Sequence, residues 1–205
     1  MPEIGSAVGT SNSRRLQSRE YLLAPHFAWL KFIRASILQR STLRFPTGFH
    51  YEDWPFHWEL GFLARSIFLL EGQWYLYRQR DASITSSVDR KMLDQIKVQH
   101  IVLQAIRAHG RHSDVHTLSA KAHMTFWTVL FRIDKKLLPE AVARAKRLRA
   151  ELPGISFTAH LDTRGVLMSI LLDLPAPAGL SAVKCIRFAK SCGVAAKGLL
   201  QRKKR

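Results

Sequence analysis

An acidic pair set among aromatic residues constrains this chain more than any other feature. Residues 43–84 read LRFPTGFHYEDWPFHWELGFLARSIFLLEGQWYLYRQRDASI. Tyr51-Glu52-Asp53 is followed at once by Phe56, Leu60 and Leu63, an apolar series at helical spacing. Asp53 suits the N-cap of that helix, and Pro55 is tolerated in the first turn, where its missing N–H has no intrahelical partner to lose. The helix is predicted to run to about Arg65. Two short strands should follow around Gly72, over Ile67–Leu70 and Trp74–Arg78.

The flanks are read in the same way. Residues 1–18 are rich in Gly, Ser and Asn without periodicity and are expected to be a flexible lead. Phe27, Trp29, Lys31 and Phe32 form an aromatic, strand-like segment, with a helical turn through Ile37 and Leu38 and a turn at Pro46 and Gly48. Ser86 and Asp89 open a helix toward Ala108, closed by His109-Gly110. Helices are expected over Val115–Arg132 and Pro139–Leu152, stopped by Pro153-Gly154, with a short strand over Phe157–Leu161. Val166–Leu172 is too short to classify. A last helix runs from about Leu180 beyond the break at Pro175 and Pro177. The expected organisation is a lead over 1–18, an α/β unit over 19–110, a helical extension over 111–179 and a basic helix with its tail over 180–205. The fold class is α+β, rich in helix.

Charge narrows the partners. The chain carries 32 Lys+Arg against 15 Asp+Glu, a formal +17, which favours anionic partners without selecting among nucleic acid, acidic lipid and nucleotide phosphate. Cys185 and Cys192 are the only cysteines. Seven residues apart on one helix, their α-carbons would lie roughly 10 Å from each other, too far for a disulfide. They read as small buried residues in a reducing compartment. The first twenty residues have no apolar core like that of a secretory signal, and no run reaches the roughly 18 apolar residues of a spanning helix. A cytoplasmic protein, peripheral at most at a membrane face, is expected.

Glu52 and Asp53 suit general-base chemistry. Transfer of a sugar to a hydroxyl requires that hydroxyl to lose its proton as it attacks, and a carboxylate within hydrogen-bond reach can accept it. A helix N-terminus would hold such a carboxylate ionised. Tyr51, Trp54, Phe56 and Trp58 would wall the pocket with the aromatic faces that suit sugar C–H groups. An N-cap with no chemistry is the alternative reading of Asp53.

Three blocks carry a resemblance. They are Ala24-Pro25 with Trp29, Lys31 and Arg34; Phe45-Pro46 with Gly48, Tyr51-Glu52-Asp53 and Phe56; and Tyr75 with Tyr77-Arg78, Arg80 and Ser83-Ile84. In order and spacing they resemble the acceptor half of bacterial family 2 glycosyltransferases, over about residues 21–108. The resemblance implies the C-terminal part of a GT-A nucleotide-diphospho-sugar transferase domain, with Asp53 as catalytic base and Glu52 beside it. Arg78 and Arg80 would hold the donor diphosphate or an anionic acceptor, and Tyr51, Trp54, Trp29 and Lys31 would line the substrate site. Its partners would be a nucleotide-sugar donor and a sugar or lipid-linked acceptor in polysaccharide biosynthesis. The family holds Mg²⁺ or Mn²⁺ through an Asp-x-Asp motif in its donor half, and no Asp-x-Asp occurs here. The expectation is a truncated or split transferase, inactive alone, whose donor half comes from another chain, or whose open strand edges are covered by self-association.

Other patterns compete. The run RAHGRHSDVH, holding His109, His112, Asp114 and His116, has the density of a metal cluster, but it joins two predicted helices where polar residues belong, and no metal site is assigned. His57 and His100 read as packed helix residues. In the last helix Cys185, Phe188, Ala189, Cys192, Ala195, Ala196, Leu199 and Leu200 share one face; Lys184, Arg187, Lys190 and Lys197 take the other. Such a helix can pack on its own domain or lie on anionic lipid. A non-catalytic nucleic-acid-binding or membrane-surface protein is therefore the alternative to a transferase, although no recognised nucleic-acid motif is present and nucleic acid is the less favoured partner.

Overall fold

The computed structural model describes residues 13–72, 76, 88–153 and 163–202, with the backbone alone for 163 and 191–202. The predicted strands at Trp74–Arg78 and Phe157–Leu161 lie outside this set, as do Arg78, Arg80 and the rest of the third resemblance block apart from residue 76. What is described is helix-rich, with one antiparallel pair of strands, and so matches the coarse α+β expectation.

The chain enters through β1 (Ser13–Leu16) and α1 (Ser18–Leu23). β1 pairs with β2 (Ile67–Leu70), Ser13 opposite Leu70 and Leu16 opposite Ile67. Residues 13–16, expected to belong to a flexible lead, thus form a paired strand, because backbone pairing needs no apolar periodicity in SRRL. Gln17 donates its backbone N–H to the Glu20 carboxylate at 2.8 Å, which starts α1. The strand expected around Trp29 is instead a 3-10 turn over Ala28–Leu30, and α2 (Ala35–Gln39) forms where a helical turn was predicted.

α3 (Asp53–Leu63) and α4 (Asp94–Ala108, led by a 3-10 turn at Arg90–Leu93) pack together, and α5 (Val115–Arg132) lies on α4. The Asp89 side chain caps the turn before α4 by accepting from Lys91 N–H at 2.9 Å. α6 (Leu138–Glu151), α7 (Thr163–Asp173) and α8 (Ala176–Arg202) complete the described helices. Val166–Leu172, which periodicity left unclassified, is helical. Its packed side chains, Met168, Leu171 and Leu172, recur at helical spacing against the core.

One apolar core runs from Leu22 and Trp58 through Leu103, Phe126 and Leu148 to Met168 and Val183. It crosses the expected boundaries at 110/111 and 179/180, so the described helices share a single interior. Gly61 lets α1 lie against α3: a Cβ there would stand 2.9 Å from two Tyr21 ring atoms. The Tyr21 ring cannot retreat, because it stacks on His57 at 4.2 Å. His57 is fully buried and pairs through Nε2 with the Tyr21 carbonyl at 3.0 Å, the packed role expected of it. His100 lies 3.3 Å from Glu151 at a half-exposed position.

α8 departs most from the periodicity argument. Val183 is buried, and Leu180, Ile186 and Arg187 face the core with it, while Cys185, Phe188 and Ala189 are exposed. The helix is thus turned about half a revolution from the orientation in which its apolar face packs on the domain, and Cys185, expected to be buried, is exposed. Arg187 explains the choice. Its guanidinium donates to the carbonyls of Leu130 at 3.2 Å and Ile133 at 2.8 Å, where the end of α5 leaves acceptors without helical partners.

Replacing Gly61 with Ala should destabilise the fold by about 1–3 kcal/mol through overpacking against Tyr21. Urea unfolding followed by circular dichroism checks this; an unchanged midpoint would show that α1 can move off α3.

Candidate functional site

The acidic pair lies at the start of α3, but not as expected. Glu52 occupies the N-cap position with helical backbone angles and no side-chain cap bond, and Asp53 is the first helical residue. The turn closes through Trp54 N–H donating to the Tyr51 carbonyl at 3.1 Å. Tyr51 itself takes φ 66°, the left-handed region that non-glycine residues seldom occupy. Its hydroxyl accepts a bond from Gln95 Nε2 of α4 at 3.0 Å, so its ring is committed to α4.

Of the four aromatic residues expected around the pair, Phe56 and Trp58 belong to the core. Helical spacing turns both inward, and Phe56 stacks on Phe45 at 3.9 Å. Trp54 stays beside the acids and donates its indole N–H to His26 Nε2. From Trp54 a row of rings leads outward: Trp54 to His26 at 4.5 Å, His26 to Phe27 at 5.1 Å, Phe27 to Trp29 at 4.7 Å with planes only 10° apart. Trp29 is 43% exposed at the outer end. The row thus provides a continuous aromatic path from the carboxylate to solvent.

Two lysines hold this row in place. Lys31 Nζ donates to the carbonyls of Phe27 at 2.7 Å and Pro25 at 3.3 Å. Lys121 Nζ, from α5, donates to the carbonyl of Ala24 at 3.1 Å and lies 5.5 Å from the Trp54 ring centre. Burial lowers Lys31 to about 8 despite the nearby Asp53 charge, and burial together with the Lys31 charge lowers Lys121 to about 8.

Asp53 was expected to be held ionised by the helix terminus. Its pKa is instead pushed up to about 6, first by burial and then by the Glu52 charge, against the smaller opposing effects of Lys31 and the N–H groups of residues 53 and 54. Its side chain is 18% exposed. His26 Nε2 approaches Asp53 Oδ1 to 3.8 Å, but this is no ion pair. Burial, reinforced by Lys121, lowers His26 to about 2, and the same nitrogen accepts the Trp54 proton. Asp53 therefore keeps free acceptor capacity at neutral pH and is a stronger base than an ordinary aspartate.

Among the described residues no group of three or more His, Cys, Asp or Glu converges on a metal-binding geometry. The charge nearest Asp53 from a cation is that of the Lys31 ammonium, which does not favour a divalent ion there. Sequence reasoning identified Asp53, Glu52, Trp54, Trp29 and Lys31 and missed His26 and Lys121. Lys121 had a legible signal: it shares a helical face with Leu118, Ala122 and Thr125, all buried, where a lone lysine is out of place.

Comparison of the chain with protein-family models, curated proteins and solved structures finds no match.

A raised carboxylate pKa means that the folded protein binds the Asp53 proton more tightly than the unfolded chain. Stability from this group is therefore complete below the ordinary aspartate range and falls as pH rises through about 6. Asp53→Asn should be more stable than wild type by about 1–2 kcal/mol near pH 8 and nearly equal to it near pH 4. Urea titrations at the two pH values test this; a mutant less stable at the higher pH would show that Asp53 is stabilised by its surroundings.

Proposed function

We propose that this protein is the acceptor side of an inverting glycosyltransferase, resembling those of family 2, with Asp53 as general base. The reading rests on one observation: a carboxylate raised to about 6, still open to solvent, at the inner end of an aromatic row that reaches the surface at Trp29. A sugar ring stacked along Phe27 and Trp29 would bring a hydroxyl toward Asp53. The hydroxyl proton passes to the carboxylate as its oxygen attacks the anomeric carbon, and the nucleoside diphosphate leaves from the opposite face. Glu52 acts through charge by raising the basicity of Asp53. Lys31 and Lys121 position His26 and Phe27.

The nucleotide-sugar and the Mg²⁺ or Mn²⁺ that accompanies it in the resembled family are assigned to a donor-binding half, on another polypeptide or elsewhere in the same protein. Arg78 and Arg80 are the cations proposed to meet the diphosphate. The acceptor is a sugar or a lipid-linked sugar.

Saturation-transfer NMR against a panel of free and lipid-linked oligosaccharides tests the acceptor site. Binding is expected, weakened about tenfold in Trp29→Ala by loss of one stacking face; a panel with no binder overturns the reading. In an assay complemented with a donor-binding half, Asp53→Asn should lower kcat by about 10²–10⁴ with glycan affinity little changed. Full activity in that mutant would remove Asp53 from the mechanism.

A further inference from the structure

The orientation of α8 leaves an apolar stripe facing outward. Phe188 is 71% exposed, with Cys185 and Ala189 exposed on the same side of the helix. Lys184 is exposed beside the stripe, whereas Lys190, a heptad on from buried Val183, lies on the side of the body of the fold with its ammonium 6.0 Å from the Phe131 ring centre. The opposite side is occupied by Val183, Ile186 and Arg187 against the core. The backbone continues as helix to Arg202, about 40 Å in all. At 100° per residue, positions 192, 196 and 199 extend the line of 185, 188 and 189 along it.

From Leu180 to Arg205 the sequence has eight Lys or Arg and no Asp or Glu. An apolar ridge centred on an aromatic ring, with Lys184 beside it in a segment free of acids, is complementary to one surface above others. The apolar side chains can enter the headgroup boundary while the lysine stems reach back to anionic headgroups. No described helix is long and apolar enough to cross a membrane, so the association is one of lying on the surface.

We infer that α8 is an in-plane anchor that docks the protein on an anionic lipid bilayer through Phe188, Cys185 and Ala189, with Lys184 at the headgroups. The charge of the whole chain draws it to such a surface, and the helix then keeps it there. The inference does not depend on the transferase reading: it concerns a face distinct from Asp53 and stands or falls on lipid binding alone.

Flotation of the full chain with vesicles of phosphatidylcholine and phosphatidylglycerol in equal parts, against phosphatidylcholine alone, tests it. Wild type should float with the mixed vesicles only. Lys184→Gln should weaken partitioning by about fivefold, and Lys190→Gln, on the side of the body of the fold, by less. Phe188→Glu should abolish it with an unchanged circular dichroism spectrum. A second measurement is independent of that mutant's folding: an environment-sensitive dye on Cys185, in a Cys192→Ser background, should shift to the blue when mixed vesicles are added. No flotation at low salt, equal flotation with phosphatidylcholine alone, an unshifted dye, or retention of binding by a folded Phe188→Glu would each overturn the proposal. A wild-type dimer that Phe188→Glu dissociates, with neither form floating, would assign the stripe to a second copy of the chain instead.

Discussion

Everything at the candidate site depends on two ammonium groups holding three backbone carbonyls. Ala24 and Pro25 lie in a segment that Pro25 keeps out of regular structure, so their carbonyls have no ladder or helix to join, while the Phe27 carbonyl accepts only the Leu30 N–H that opens the next turn, at 3.2 Å. Lys121 takes the first and Lys31 the other two. These charge-assisted bonds fix the path of the chain between α1 and the Ala28–Leu30 turn. They thereby set His26 against Trp54 and Phe27 against Trp29. The anchoring is long-range, since Lys121 belongs to α5, nearly a hundred positions away from the carbonyl it binds.

The same partial burial gives the site its electrostatic character. Removing water disfavours charge on the acid, on both lysines and on His26 alike. The outcomes differ because the groups differ. The imidazole is left neutral, the lysines keep their charge through most of the neutral range, and the aspartate becomes a better proton acceptor while remaining ionised above about pH 6. A neutral imidazole beside a carboxylate holds its ring position without neutralising its neighbour. His26 therefore scaffolds Trp54 without donating a proton to Asp53.

Much of the helical frame was legible from spacing. Val115–Arg132 is matched residue for residue, Asp53 begins its helix, and Ile67–Leu70 is a strand, because in each case apolar periodicity and turn residues agree. The failures have physical causes. Phe27, Trp29 and Phe32 look like a strand by composition, yet with carbonyls held by lysines the chain turns instead. In α8 periodicity left open whether the apolar stripe packs on its own domain or faces outward, and Arg187, finding the open carbonyls of Leu130 and Ile133, turns the opposite face inward. Neither outcome follows from a local window, because each is decided by a cation and acceptors distant in sequence. For the site, residue types near Asp53 were visible and Lys121 stood out on an apolar helical face, whereas the part played by Lys121 and the involvement of His26 emerge only when α1, α3 and α5 are brought together.

Tyr51 has a bearing on how such a site could vary. With φ 66° it carries a backbone cost that a glycine would not, and its hydroxyl is tied to Gln95 on α4. The direction in which α3 departs, and with it the aim of Asp53, is thus set by a tether from a neighbouring helix rather than by a cap of its own. Repositioning the acid would not require touching it: exchanging Gln95 for a longer or shorter partner would tilt the hinge at Tyr51, making α4 the element through which acceptor geometry can be retuned while the carboxylate stays the same.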